Sequence, residues 1–146
     1  MKIIDEKLLD EVSAQAKASP RLRMNYNFHH DLDELCHRML NALEPGTDIP
    51  IHRHPEKDET FVVLRGKVRS TTYNDDGSVI ASVVLSQEDG VYGIDIPKNV
   101  WHKLEALTSS VIFECKQGPF VPHEVEGVMT EAVPTTSSTS PTPKTL

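Results

Sequence analysis

The segment "GTDIPIHRHPEKDETFVVLRG", residues 46–66, carries the strongest structural signal in this chain. His52 and His54 are two residues apart, so in a β-strand both imidazoles leave the same face. The four residues PEKD then separate His54 from Glu59, and they are enough to turn the chain. Glu59 can therefore begin a neighbouring strand and face back toward the histidines. The apolar run at 61–64 predicts that this strand is buried on both faces.

A fourth polar side chain for this group must come from a distant strand. His102, in "IPKNVWHKL", is the best candidate because it opens a predicted strand after a Pro-Lys-Asn turn. Three imidazoles and one carboxylate suit one divalent first-row metal, which can be iron, manganese, nickel, cobalt, copper or zinc. The sequence does not choose among these metals. Lys57, in the loop before Glu59, is expected to face solvent.

Two helices are predicted in the N-terminal part of the chain. Apolar residues recur at helical spacing over 4–16, with Asp5 as the N-cap. A second helix is predicted over 31–45, where the apolar stripe includes Cys36. Two cysteines give no disulfide framework, and we expect both to be small core residues. On the helical interpretation, His37 is expected to be exposed.

The rest of the chain is predicted to be mainly β. The segment "RLRMNYNFH", 21–29, alternates between apolar and polar residues and predicts a strand. From 46 to about 116, short strands and turn signals such as "NDDG" at 74–77 indicate an all-β sandwich or barrel. The polar Ser/Thr/Pro-rich tail, 129–146, is predicted to be disordered.

Composition excludes some classes of function. The chain has 146 residues, which favours a single domain, and a net charge of −7, which argues against a nucleic-acid partner. The acidic start "MKIIDEKLLDEV" is unlike a signal peptide, and no apolar run is long enough for a membrane helix. A cytoplasmic location with no membrane partner is therefore expected.

The spacing of the central segment resembles the first signature of the cupin superfamily. In that signature, glycines flank two histidines and one glutamate, and here these positions are Gly46, His52, His54, Glu59 and Gly66. The resemblance implies a jelly-roll β-barrel of the RmlC-like type.

The second cupin signature is matched less closely. It is similar to Pro97, Asn99 and His102, with Asn99 where glycine is usual. Asparagine also tolerates the left-handed backbone that such turns need. The resemblance then implies the complete set of metal ligands: His52, His54, Glu59 and His102.

Over roughly residues 1–128 the chain resembles the WbuC family of small cupin-fold metalloproteins. This resemblance implies N-terminal elements over 1–45 that pack on a barrel core with a C-terminal extension over 46–128. Family members are known from bacterial surface-polysaccharide gene clusters, and their reaction is not well defined. A homodimer is expected from the common cupin habit and from open strand edges.

Candidate residues for binding a small anionic or sugar-like ligand come from the alternating strand and one later position: Arg23, Asn25, Asn27, His29 and Tyr92. The opposite orientation is an open alternative, with Met24 and Tyr26 lining the barrel and the polar face in solvent. Tyr92 could be a proton donor or a packing residue.

Three functions are compatible with these patterns. The first is a metal-dependent enzyme, isomerase- or epimerase-like, acting on a small polar metabolite such as a sugar or sugar nucleotide. The second is an iron-dependent oxygenase. The third is a non-catalytic module that senses a sugar or a metal. The sequence does not decide whether there is catalysis.

Overall fold

The computed structural model describes residues 1–122 and 126–129, which form one helix and ten strands. These elements are, in chain order, α1 (Glu6–Ala18), β1 (Arg23–Asn27), β2 (Cys36–Leu43), β3 (Ile51–His52), β4 (Glu59–Arg65), β5 (Lys67–Tyr73), β6 (Val79–Ser86), β7 (Gly93–Ile96), β8 (Trp101–Ala106), β9 (Ser110–Gln117) and β10 (Val128–Met129). The predicted disordered tail lies outside the described residues from position 130 onward. Within residues 1–122 and 126–129, no helix is long and apolar enough to cross a membrane.

The strands form two antiparallel five-stranded sheets. The first has the order β1-β2-β9-β4-β7, and the second has the order β10-β3-β8-β5-β6. The prediction of a mainly β chain is thus confirmed. The strand pairings of the described residues give two sheets, and they do not close into the single barrel that was expected.

The predicted second helix is wrong, because most of this segment is strand β2. Strand β2 lies between β1 and β9, with α1 over one face and the space between the sheets on the other. Apolar residues therefore occur on both faces, with Leu40 and Ala42 outward and Met39 and Leu43 inward, and their spacing imitates a helical stripe. Cys36 begins the strand and is exposed, so its predicted core position is also wrong.

The first predicted helix is confirmed. The side chain of Asp5 caps it by accepting a hydrogen bond from the Leu8 amide at 3.0 Å. The buried face of α1 packs on the outer side of the first sheet. There it forms an apolar group that we call the outer cluster: Leu9, Val12, Ala16, Leu40, Ala42 and Val111.

A second apolar group, the inner cluster, fills the space between the sheets. Its buried members are Leu43, Phe61, Val63, Val68, Leu85, Ile96, Leu104, Ala106 and Ile112. Strand β4 contributes alternate residues to it, whereas Thr60 and Val62 face outward, and Val62 is 37% exposed. The prediction that β4 is buried on both faces is wrong here, because α1 packs chiefly against β1 and β2.

Candidate metal centre and its cavity

The four side chains predicted as metal ligands lie together between the sheets. Each of His52, His54, Glu59 and His102 offers one ligand atom, and these atoms all lie within 4.8 Å of one another. None of the four residues is more than 6% exposed. The group could therefore hold a metal ion.

The strands bring these residues together as the local sequence requires. His52 ends β3 and lies opposite His102 on β8, while Glu59 begins β4. Asn99 has a left-handed backbone with φ 66°, and its amide donates to the carbonyl of His54 at 2.7 Å. The expected role of Asn99 in the turn before His102 is confirmed, and this turn also fixes His54.

Backbone carbonyls determine which ring nitrogen carries a proton in two of the histidines. Nδ1 of His52 donates to the carbonyl of Pro50 at 2.9 Å, and Nδ1 of His102 donates to the carbonyl of Val100 at 2.9 Å. A carbonyl oxygen can only accept, so each Nδ1 carries hydrogen. In a neutral ring, Nε2 then presents a lone pair, as a metal ligand must.

The ring nitrogens converge on the carboxylate of Glu59. Nε2 of His54 lies 2.7 Å from Oε1 of Glu59, and Nε2 of His102 lies 3.0 Å from Oε2. Lone pairs and a carboxylate repel each other at these distances, so the arrangement requires a cation, either protons on the rings or a metal ion. The donor set and its burial thus fit a divalent metal.

Charges and hydrogen bonds control the protonation of this group. Burial raises the pKa of the Glu59 carboxyl, but hydrogen bonds from His102 and His54 and the charge of Lys116 outweigh it and hold that pKa well below its ordinary value. Burial lowers the pKa of His54, yet the hydrogen bond and charge of Glu59 raise it overall. Glu59 is therefore the anionic member of the group.

A cavity of about 470 Å³ adjoins the group and reaches His52 and Glu59. Strand β1 contributes Arg23 and Asn25 to the lining, which places part of the predicted polar face at the cavity. On the opposite side of β1, Met24 and Tyr26 pack against the outer cluster, although Met24 also reaches the lining.

The other predicted ligand-binding residues are not among the lining residues of this cavity. Asn27 accepts a hydrogen bond from the side chain of Asn25 at 2.8 Å. Tyr92 is 60% exposed. His29 is buried and stacks on His37 with 4.1 Å between ring centroids. His37 is only 1% exposed, so its predicted exposure is wrong, because it lies on a central strand instead of a helix.

The polar residues that β2 and β9 contribute to the cavity lining were not predicted from the sequence: Asn41, Glu114 and Lys116. Nζ of Lys116 lies 3.5 Å from Oε1 of Glu114 and 3.4 Å from Oε1 of Glu59, and Asn41 donates to Glu114. Burial and the charge of Glu59 raise the pKa of Glu114. The sequence did carry one indication of two of them. Ile112, Glu114 and Lys116 in "SVIFECKQ" are spaced by two, so in a strand they share one face with an apolar residue.

Solved structures support the cupin fold. The Cnp3 cupin domain of Schizosaccharomyces pombe has a TM-score of 0.53 at 8% identity, covering 65% of this chain and 64% of that domain. CapF, a capsular polysaccharide assembling protein of Staphylococcus aureus, has a TM-score of 0.57 at 23% identity, covering 74% of this chain and 30% of CapF. SPY1581, a conserved Streptococcus pyogenes protein of unknown function, has a TM-score of 0.56 at 14% identity, covering 82% of this chain and 90% of that protein.

Sequence comparison gives the family. No curated protein matches the chain at a significant level. Residues 4–85 match a family described as a domain of unknown function, DUF6016. The matched region includes β1, which lines the cavity, and three of the four clustered residues. Because the match spans more than half of the 146 residues, this cupin-fold chain belongs to the DUF6016 family.

Proposed function

We propose that this protein binds one divalent transition metal and uses the adjoining cavity to bind a small, anionic, oxygen-rich metabolite such as a sugar acid or sugar nucleotide. One observation carries the proposal. The buried group of three imidazoles and one carboxylate lies next to a cavity of about 470 Å³ whose other polar lining residues include cations. The volume suits a small ligand.

The metal would be held by His52, His54, Glu59 and His102. A bound divalent ion supplies Lewis acidity, which polarises a carbonyl or stabilises a developing negative charge. The protein supplies oriented nitrogen donors, because backbone carbonyls fix Nδ1 of two of the histidines. It also supplies one negative charge from Glu59, which lowers the net charge of the loaded site.

Arg23 favours an anionic ligand over a neutral one. The hydrogen bonds of Arg23 go to uncharged acceptors, the carbonyl of Asp48 and the hydroxyl of Thr47. Its guanidinium thus keeps donors for a carboxylate or phosphate. Lys116 lies between two carboxylates beside the metal group, where it can orient a ligand that approaches from the cavity.

Two further comparisons lead us to propose a sugar-like metabolite. CapF is named for capsular polysaccharide assembly, although its likeness to this chain is one of fold alone. The resemblance to the WbuC family points toward the same area of metabolism. That family assignment, the homodimer and the cytoplasmic location stay predictions.

Elemental analysis tests the metal. We expect the purified protein to contain about one equivalent of a divalent transition metal after loading, and His52→Ala and His102→Ala to lose it. The matched control is His30→Ala, because His30 is exposed and lies outside the group. Equal metal content in all four proteins would contradict the site.

Calorimetric titration tests the ligand class. We expect glucuronate to bind the metal-loaded protein, and glucose, which lacks the carboxylate, to bind more weakly. Replacing Arg23 by glutamine should remove a charged hydrogen-bond donor and weaken glucuronate binding by about 1.5–3 kcal/mol. Equal affinities for the two sugars would exclude an anion-selective cavity.

A further inference from the structure

The C-terminal segment 126–129 runs along the metal-binding segment 51–54. In register, Met129 lies opposite Ile51 and Val128 lies opposite His52. The amide of Arg53 donates to the carbonyl of Gly127 at 3.3 Å. The next contact along this pair of segments joins the side chains of Glu126 and His54.

Glu126 is buried at this contact. Its side chain is 7% exposed, and its Oε2 accepts a hydrogen bond from Nδ1 of His54. Its Oε1 lies 3.1 Å from Nζ of Lys57. Lys57 was expected to face solvent, which is wrong, because its side chain is only 8% exposed and also donates to the carbonyl of Pro119 at 2.6 Å.

His54 differs from the other two histidines in how its Nδ1 is held. His52 and His102 each donate to a backbone carbonyl two residues earlier. His54 instead donates to a carboxylate that is 72 residues away in the sequence. A carboxylate in this position fixes the tautomer and the ring orientation, and it makes the imidazole a more basic ligand.

We infer that Glu126 is a positioning residue for the metal site, so that the 126–129 segment strengthens metal binding through His54. The inference rests on the proposed metal-binding function. Glu126 fixes the proton on Nδ1 of His54, so that Nε2 faces Glu59 and the metal position. Lys57 holds Glu126 in turn and balances its charge.

Cobalt binding to the full chain tests this inference, with Co²⁺ followed by its visible absorption in competition with a chelator. Removing an outer carboxylate that orients a ligand typically costs about 10–100-fold in metal affinity, which we expect for Glu126→Ala. Glu126→Gln should recover most of the affinity, because its amide oxygen still accepts from Nδ1. Glu56→Ala is the matched control, since Glu56 is exposed in the same loop as Lys57.

The outcomes separate the two proposals. If the wild-type protein binds no Co²⁺, the metal-binding function fails. If the wild type binds Co²⁺ and Glu126→Ala binds it equally well, the positioning role is overturned. Equal losses in the alanine and glutamine variants would overturn the hydrogen-bond assignment. If Glu126→Ala does not fold, Lys57→Met is the second variant, because it keeps the Glu126 carboxylate and removes only the ion pair that holds it. This variant should show a smaller loss of Co²⁺ affinity, and unchanged affinity would overturn the inference.

Discussion

The two faces of the first sheet differ sharply although the same strands form both. On β2 and β9, Leu40, Ala42 and Val111 point outward into the outer cluster under α1. Alternate residues of the same strands line the cavity, and these include Asn41, Glu114 and Lys116. One face is apolar, whereas the other places hydrogen-bonded charges among apolar side chains.

The outer face of this sheet therefore serves mainly stability, and the inner face serves mainly function. Burying apolar area stabilises the fold without any requirement for orientation. Buried charges are costly to desolvate even when they are paired, so a group such as Glu59, Glu114 and Lys116 is weak evidence for a stabilising role. Titratable groups with shifted pKa values beside a cavity are instead typical of functional sites.

The largest expected effect is on the inner face. Glu59→Gln removes the anionic ligand and should lower Co²⁺ affinity by more than the roughly 10–100-fold expected for an outer carboxylate. The metal-free variant should still fold, because the apolar clusters are unchanged. Chelator competition and circular dichroism measure the two properties. Wild-type Co²⁺ affinity in this variant would remove Glu59 from the site.

The opposite result is expected on the outer face. Leu40 is fully buried under α1, so Leu40→Ala should lower the free energy of unfolding by about 2–5 kcal/mol through lost burial and a residual cavity. Metal affinity of the folded variant should stay within a few-fold of the wild type. Chemical denaturation and Co²⁺ titration check this. A large loss of metal affinity would show that the two faces are coupled.

A change in pH should act on the inner face through His54. Because the folded-state pKa of His54 is raised, its contribution to metal-free stability is fully present below the ordinary imidazole pKa and is lost as pH rises through the raised value. Metal binding has the opposite dependence, since it requires Nε2 of His54 without its proton, and affinity should fall on acidification.

Thermal unfolding of the metal-free protein and Co²⁺ titration across this pH range measure the two trends. His54→Gln should remove its part of the pH dependence of metal-free stability, whereas Leu40→Ala should shift the curve without changing its shape. Identical pH profiles for the wild type and His54→Gln would show that another group causes the dependence.

The sequence predicted the position of the metal group better than the elements around it. Spacing by two along a strand and a turn before Glu59 are local properties, so His52, His54 and Glu59 could be grouped from the sequence. Strand β2 could not be recognised, because its apolar residues serve both faces of the sheet and their spacing also fits a helix. Tertiary context overrides such patterns.

The contacts that support the site depend on long-range pairing. Glu126 reaches His54 because β10 pairs with β3, and nothing near Glu126 in the sequence marks that partner. Lys57 is buried for the same reason, since its acceptors come from Pro119 and Glu126. Glu114 and Lys116 had a local signal, in that both share the phase of the apolar residue Ile112 on β9.

The smallest expected effect concerns Asn99, which joins the turn before His102 to the carbonyl of His54. A side chain with a Cβ and no local hydrogen-bonding group is strained at φ 66°, so Asn99→Ala should destabilise the protein by about 1–2 kcal/mol. Asn99→Gly removes that strain but gains freedom in the unfolded chain, so its stability should stay within about 1 kcal/mol of the wild type. Both variants keep the amide that donates to His54, and Co²⁺ affinity should therefore change little. Chemical denaturation and Co²⁺ titration of both variants test this prediction. If metal affinity falls in both variants while stability does not, the Asn99 side chain supports metal binding on the inner face as well as the turn before His102.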